Sequence, residues 1–147
     1  MSNPFVGSWK LLSAVYERDG RTAYPFGREP VGLLIYDDVG NMAVQIMRLN
    51  RDDAPRAKTS EGDRAEKRAS FEGYLAYFGG YEINEAEKTV SHYVRGSTLP
   101  HWVGSVQKRA YEFSGNWLTL SAPATSDKSG AEAVLVWERI ERKNNES

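Results

Sequence analysis

Residues 89–109 read TVSHYVRGSTLPHWVGSVQKR, two strand-like runs joined by a Pro-marked connection, and both histidines of the chain lie within it. In the first run Val90, His92 and Val94 alternate with Thr89, Ser91, Tyr93 and Arg95, so His92 shares the face of the valines. In the second, Lys108 and Glu112 mark a solvent face. Val103, Ser105, Gln107, Arg109, Tyr111 and Phe113 then fall on the opposite face, toward an interior. Two neighbouring strands would each send hydrogen-bonding side chains into an apolar interior, where an unpaired polar group costs roughly 1–3 kcal/mol. Such groups satisfy one another or receive a ligand.

Working outward, the same parity applies to the flanking runs. Glu82 marks the outside of 77–83 and turns Tyr77, Gly79, Tyr81 and Ile83 inward. Glu132 and Glu138 do so for 132–140, leaving Leu135, Trp137 and Arg139 inside. In 6–18, Lys10 is the outer marker, with Trp9, Leu11, Ser13 and Val15 on the other face and Asp19-Gly20 as the turn. Residues 31–36 and 41–48 form a hairpin around Asp37-Asp38-Val39-Gly40, and 117–121 makes a further strand after the Ser114-Gly115-Asn116 turn. TAYPFGREP, residues 22–30, has no period and reads as a long loop over an opening, and 122–130 is a second loop. Thr59 or Ser60 can cap one helix running to Leu75, and the polar tail ERKNNES is expected to fray.

Eight alternating runs with short turns predict a mainly β fold: an eight-stranded up-and-down antiparallel barrel, with the helix over 60–75 between the third and fourth strands. Closure also removes the exposed edges of an open meander. At 147 residues, 40% hydrophobic and 27% charged, the chain fits one domain, 1–147, with an ordinary soluble composition. A formal charge of −1 and no Lys/Arg-rich run argue against nucleic acid as a partner. No apolar stretch reaches the roughly 20 residues that span a bilayer, and the start MSNPFVGSWK lacks a signal-peptide core, so the expectation is a cytoplasmic protein without a membrane partner. The absence of cysteine removes disulfides and thiolate chemistry. Two histidines without metal-site spacing, and no dinucleotide or P-loop glycine pattern, give an expectation of no metal and no cofactor.

Gly7-Ser8-Trp9 resembles the Gly-x-Trp signature of lipocalins, and Arg139 the arginine that closes over that tryptophan. A broader pattern is similar to the bacterial and fungal lipocalin-like domain family, a calycin-type barrel. It includes Pro30-x-Gly32-x-x-x-Tyr36, Gly40-x-Met42-x-x-Gln45, Tyr77-x-Gly79-x-Tyr81 and His92. It continues through Ser97-x-x-Pro100-x-Trp102-x-Gly104-x-x-Gln107-x-Arg109 and Leu135-x-Trp137-x-Arg139. The resemblance implies the barrel and adds Tyr36 and Gln45 to its interior. The chain departs from secreted lipocalins in its lack of cysteine and in its expected mid-barrel helix. Similar barrels include carriers as well as cyclases and isomerases, so the fold alone does not choose between them.

Two functions fit these residues. In the first, a cofactor-independent isomerase, cyclase or dehydratase, His92 shuttles a proton while Arg109, Gln107 and Tyr77 stabilise an oxyanion. In the second, a carrier, the same groups with Tyr36, Gln45, Tyr81, Trp102 and Trp137 orient a small hydrophobic, carbonyl-bearing or acidic ligand against an apolar wall. A simply filled interior is the third reading. An inward arginine keeps its charge and needs an anion, a carbonyl or a ring face. A homodimer is left open. His92 decides between the first two: a catalytic imidazole faces open space, whereas a core imidazole is saturated by protein partners.

Overall fold

A computed structural model describes residues 3–49, 73–122 and 132–141. Nine strands occur among them: β1 (Gly7–Arg18), β2 (Arg21–Ala23), β3 (Val31–Tyr36), β4 (Asn41–Met47), β5 (Tyr74–Asn84), β6 (Thr89–Ser97), β7 (Val106–Ser114), β8 (Trp117–Ala122) and β9 (Glu132–Arg139). Every ladder is antiparallel. β1 and β3 to β9 follow one another in order, and β9 returns to pair with β1. The result is the expected closed eight-stranded up-and-down barrel. Short β2 pairs only with the far end of β1, across a turn in which Asp19 and Gly20 take φ of 50° and 74°, the left-handed pair that a tight hairpin uses.

The helix expected over 60–75 lies outside the described residues up to position 72. Its last two positions are not helical: Tyr74 and Leu75 belong to β5, paired with Met47 and Ile46. The four-residue turn before β4 is built as expected, with Asp37 Oδ1 accepting the backbone N–H groups of Val39 at 3.0 Å and Asn41 at 2.7 Å. Its exposed carboxylate is held below the usual range chiefly by those Asn41 contacts.

Closure rests on residues from the two ends of the chain. Trp9 and Arg139 are register partners, the Arg139 guanidinium lies 4.3 Å from the Trp9 ring centre, and Trp9 Nε1 donates to Phe5 O at 3.0 Å. Arg139 also donates to the carbonyls of Val6 at 2.9 Å and Pro4 at 2.6 Å. Gly7 makes this possible, because its φ is +135° and a Cβ there would stand 2.8 Å from Arg139 Nη1. The segment so anchored carries Phe5 into the interior, where its ring meets Tyr36, Tyr111 and Phe113 edge-on at 4.8–5.2 Å between centroids. Phe5 plugs that end of the barrel.

A bulge in β1 changes which residues face inward. Leu11 pairs with Trp137 and Ser13 with Val136, so Leu12 is extra. Beyond it Ala14 is buried and Tyr16 lines the cavity; the inward expectation for Ser13 and Val15 is corrected, since one added residue reverses the parity of all that follow. Val103 is corrected too: it is about half exposed, lying past the 3-10 turn Pro100–Trp102 and before β7 begins.

Candidate functional site

Five rings run in file through the barrel from the plugged end. Phe5 touches Tyr36, Tyr36 touches His92, His92 touches Tyr77 and Tyr77 touches Trp102, with centroid separations of 5.2, 5.6, 5.8 and 5.4 Å. Three register relations create the file: Tyr36 ends β3, Tyr77 pairs with Val44 and Ser97 in the middle of β5, and His92 sits opposite Tyr81 and Gln107. Beyond Tyr77 the file opens into a cavity of about 550 Å³, counted out through its mouth. Its apolar wall includes Phe26, Leu34, Val44, Ile46, Leu120 and Leu135, and its polar groups come from Tyr16, Tyr77, His92, Trp102, Arg109 and Trp137. No Asp, Glu, Asn or Gln lines it among the described residues.

His92 is 2% exposed, and both its ring nitrogens are occupied. Tyr36 Oη lies 2.6 Å from Nε2 and Tyr77 Oη 2.8 Å from Nδ1. Burial, aided by the Arg109 charge, pulls its pKa down to about 3, which leaves a neutral imidazole. Burial pushes the Tyr77 hydroxyl up to about 12, against the opposing pull of Arg109. Tyr36 is raised well above the ordinary tyrosine range, by burial first and then by Tyr77 and Tyr81. All three groups are uncharged at neutral pH.

Arg109 keeps its charge at the cavity wall. Its Nη2 donates to Gln107 Oε1 at 3.2 Å and its Nη1 to the Lys108 carbonyl at 3.1 Å; no described carboxylate pairs with it. Gln107 is not itself in the wall: its Nε2 donates to Ser105 Oγ at 2.8 Å, and that hydroxyl donates to the Trp102 carbonyl. The chain of bonds ties Arg109 to the turn that presents Trp102. Trp137 has the opposite problem, for it is 1% exposed and its Nε1–H has no partner among the described residues. A buried donor left unbonded at a cavity wall is a place where a ligand oxygen gains a full hydrogen bond.

Of the nine residues picked out by sequence, Tyr77, His92, Trp102, Arg109 and Trp137 therefore meet at one cavity. Tyr36 stands behind His92 and reaches the cavity only through it. Tyr81 is at the plugged end, its hydroxyl donating to the Asp37 carbonyl at 2.7 Å and accepting from Asn3 Nδ2 at 2.9 Å. Gln45 is corrected outright: it is exposed on the outer face of β4 and accepts from Tyr74 Oη at 2.6 Å. The apolar alternation of Met42, Val44 and Ile46, all buried, is the signal that places Gln45 outside. The Leu12 bulge hides Tyr16 from simple alternation, the expected helix hides Leu75, and a plug such as Phe5 has no periodicity to reveal it. No cluster of three metal-ligating side chains occurs among the described residues, and both His92 nitrogens are engaged.

The sequence profile of the family described as "Lipocalin-like domain" matches residues 6–140. The chain belongs to that family. This lipocalin-like domain is 28% identical, over 109 residues, to the 4'-hydroxy-3'-methoxypropiophenone carrier protein ppsC of Aspergillus oryzae (strain ATCC 42149 / RIB 40). The match covers 69% of this chain and 98% of that protein. Among solved structures, a redesigned β-barrel is similar with a TM-score of 0.45 and 11% identity, covering 94% of this chain and 93% of the other.

Proposed function

We propose that this lipocalin-like domain is a non-catalytic binding or carrier protein for a small apolar compound bearing a carbonyl or acidic group. The observation that carries the proposal is the state of His92. A general base needs a lone pair within reach of substrate, and here both ring nitrogens are taken by tyrosine hydroxyls in a neutral, buried imidazole. An isomerase or cyclase built on His92 would have to break that arrangement first. The cavity supports binding: apolar walls surround an arginine and an indole N–H that have, among the described residues, no carboxylate and no acceptor respectively. The carrier named among its relatives points the same way.

The test is a titration with 4'-hydroxy-3'-methoxypropiophenone followed by tryptophan fluorescence, since Trp102 and Trp137 both line the cavity. Saturable binding, with the compound recovered chemically unchanged after prolonged incubation, is expected. Conversion of the compound would overturn the non-catalytic reading. No binding of it or of other apolar ketones and acids would overturn the carrier reading altogether.

A further inference from the structure

The tyrosines around His92 fix where every proton between them lies. Tyr36 is 1% exposed, and its hydroxyl has one hydrogen-bond partner among the described residues, His92 Nε2 at 2.6 Å. The Tyr36 ring is packed among those of Phe5, Tyr81 and His92. A Tyr36 hydrogen turned anywhere else would be a buried donor without an acceptor, a costly arrangement that folded proteins avoid. Tyr36 O–H therefore donates to Nε2, and Nε2 carries no proton. The single imidazole proton is then on Nδ1, which donates to Tyr77 Oη at 2.8 Å. The opposite tautomer and the imidazolium both put a hydrogen on Nε2 and orphan that of Tyr36.

We infer that Tyr36 and His92 act as a relay that turns the Tyr77 hydroxyl hydrogen toward the cavity, making Tyr77 a fixed donor for the carbonyl oxygen of a neutral apolar ketone. Tyr77 is in the cavity wall, and its oxygen is already occupied as an acceptor from His92. Its own hydrogen has no described partner and needs one. Trp137 Nε1–H, on the same wall, also lacks a partner among the described residues. The unmet valences at this site are thus donors, a set that selects an acceptor and discriminates against an amine or ammonium head. The inference rests on the small-molecule binding proposed above and assigns the head group that such binding takes.

Two measurements test it. The first needs no ligand: in protein labelled with nitrogen-15 at histidine, the imidazole spectrum contains only His92 and His101, and His101 is exposed. At pH 7 the His92 Nδ1 resonance is expected at the protonated position and Nε2 at the unprotonated one. The reverse assignment would overturn the relay whatever the cavity binds. The second compares propiophenone with propylbenzene, which lacks the carbonyl. The ketone is expected to bind about two- to tenfold tighter, with its bound carbonyl stretch lowered in frequency. Tyr77→Phe is expected to remove both the advantage and the frequency shift while still binding propylbenzene. Equal affinity for the two compounds, or a stretch indifferent to Tyr77→Phe, would overturn the donor role of Tyr77 and leave the carrier proposal standing. Failure of both compounds to bind would count against the carrier proposal and against the ketone head group, and the histidine spectrum would still decide the relay.

Discussion

Trp9 and Arg139 face one another across the seam that closes the barrel, as direct register partners in the β1–β9 ladder and with the guanidinium 4.3 Å above the indole. The same guanidinium holds the carbonyls of Pro4 and Val6, so it clamps the segment that carries Phe5 into the interior. One residue thus fixes both the seam and the plug.

Trp9 is fully buried, so truncation to alanine is expected to cost about 3–5 kcal/mol of stability. Arg139→Met removes the cation and its two carbonyl bonds and is expected to cost about 1–3 kcal/mol. Urea midpoints of both variants beside wild type check this. An unchanged midpoint for Trp9→Ala would show that the closure does not depend on that ring.

Gly79 is expected to tolerate no side chain. Its Cβ would stand 1.8 Å from the Tyr93 carbonyl oxygen, at the irregularity where Phe78 pairs with Gly96 and Gly79 with Val94. Since the obstacle is backbone, Gly79→Ala must open the β5–β6 ladder beside both Tyr77 and His92. Loss of stability together with weakened ligand binding is the expected outcome, measured by denaturation and fluorescence titration. A neutral substitution would refute the close approach.

The buried imidazole makes stability depend on pH. The folded pKa of His92 is lowered to about 3, whereas an unfolded histidine titrates near 6.5. Between those values the unfolded chain binds a proton that the folded protein refuses. Stability therefore falls as pH drops below about 6.5, by at most about 1.4 kcal/mol per unit from this group. His92→Gln takes up no such proton, so its stability difference from wild type should narrow between pH 7 and pH 5. A difference constant over that range would mean that His92 is protonated in the fold.

Arg109→Met is expected to weaken binding of an anionic or carbonyl-bearing apolar compound about tenfold while leaving the fold intact, since a hydrogen bond to a charged donor contributes about 1.5–3 kcal/mol. Gln107→Leu removes the acceptor that orients Arg109 and should give a smaller loss in the same direction. Titrations of both variants with 4'-hydroxy-3'-methoxypropiophenone and with an apolar carboxylate check the order. Unchanged affinity in Arg109→Met would remove Arg109 from the ligand site.

Strand parity was readable because charges stand on the outer faces. Glu82, Lys108, Glu112, Glu132 and Glu138 each mark an exterior, and the residues alternating with them, Tyr77, Arg109 and Trp137 included, do face the interior. The closing pair was readable as well, since Gly7-Ser8-Trp9 and Arg139 lie on the first and last strands and closure must bring those strands together. Tertiary structure decided the rest. A one-residue bulge at Leu12 costs little locally yet reverses every later side chain of β1, which is how Tyr16 came to the cavity wall. Parity gives a side chain's direction but not its depth along the barrel or the atom it meets. His92, Tyr36 and Tyr77 all point inward by sequence, but only the register across β3 to β6 sets the two hydroxyls 2.6 and 2.8 Å from the two ring nitrogens. The same register leaves Trp137 Nε1 with no acceptor among the described residues. Whether an inward polar group is satisfied or waits for a ligand depends on neighbours far away in sequence, so it is settled only when the barrel closes.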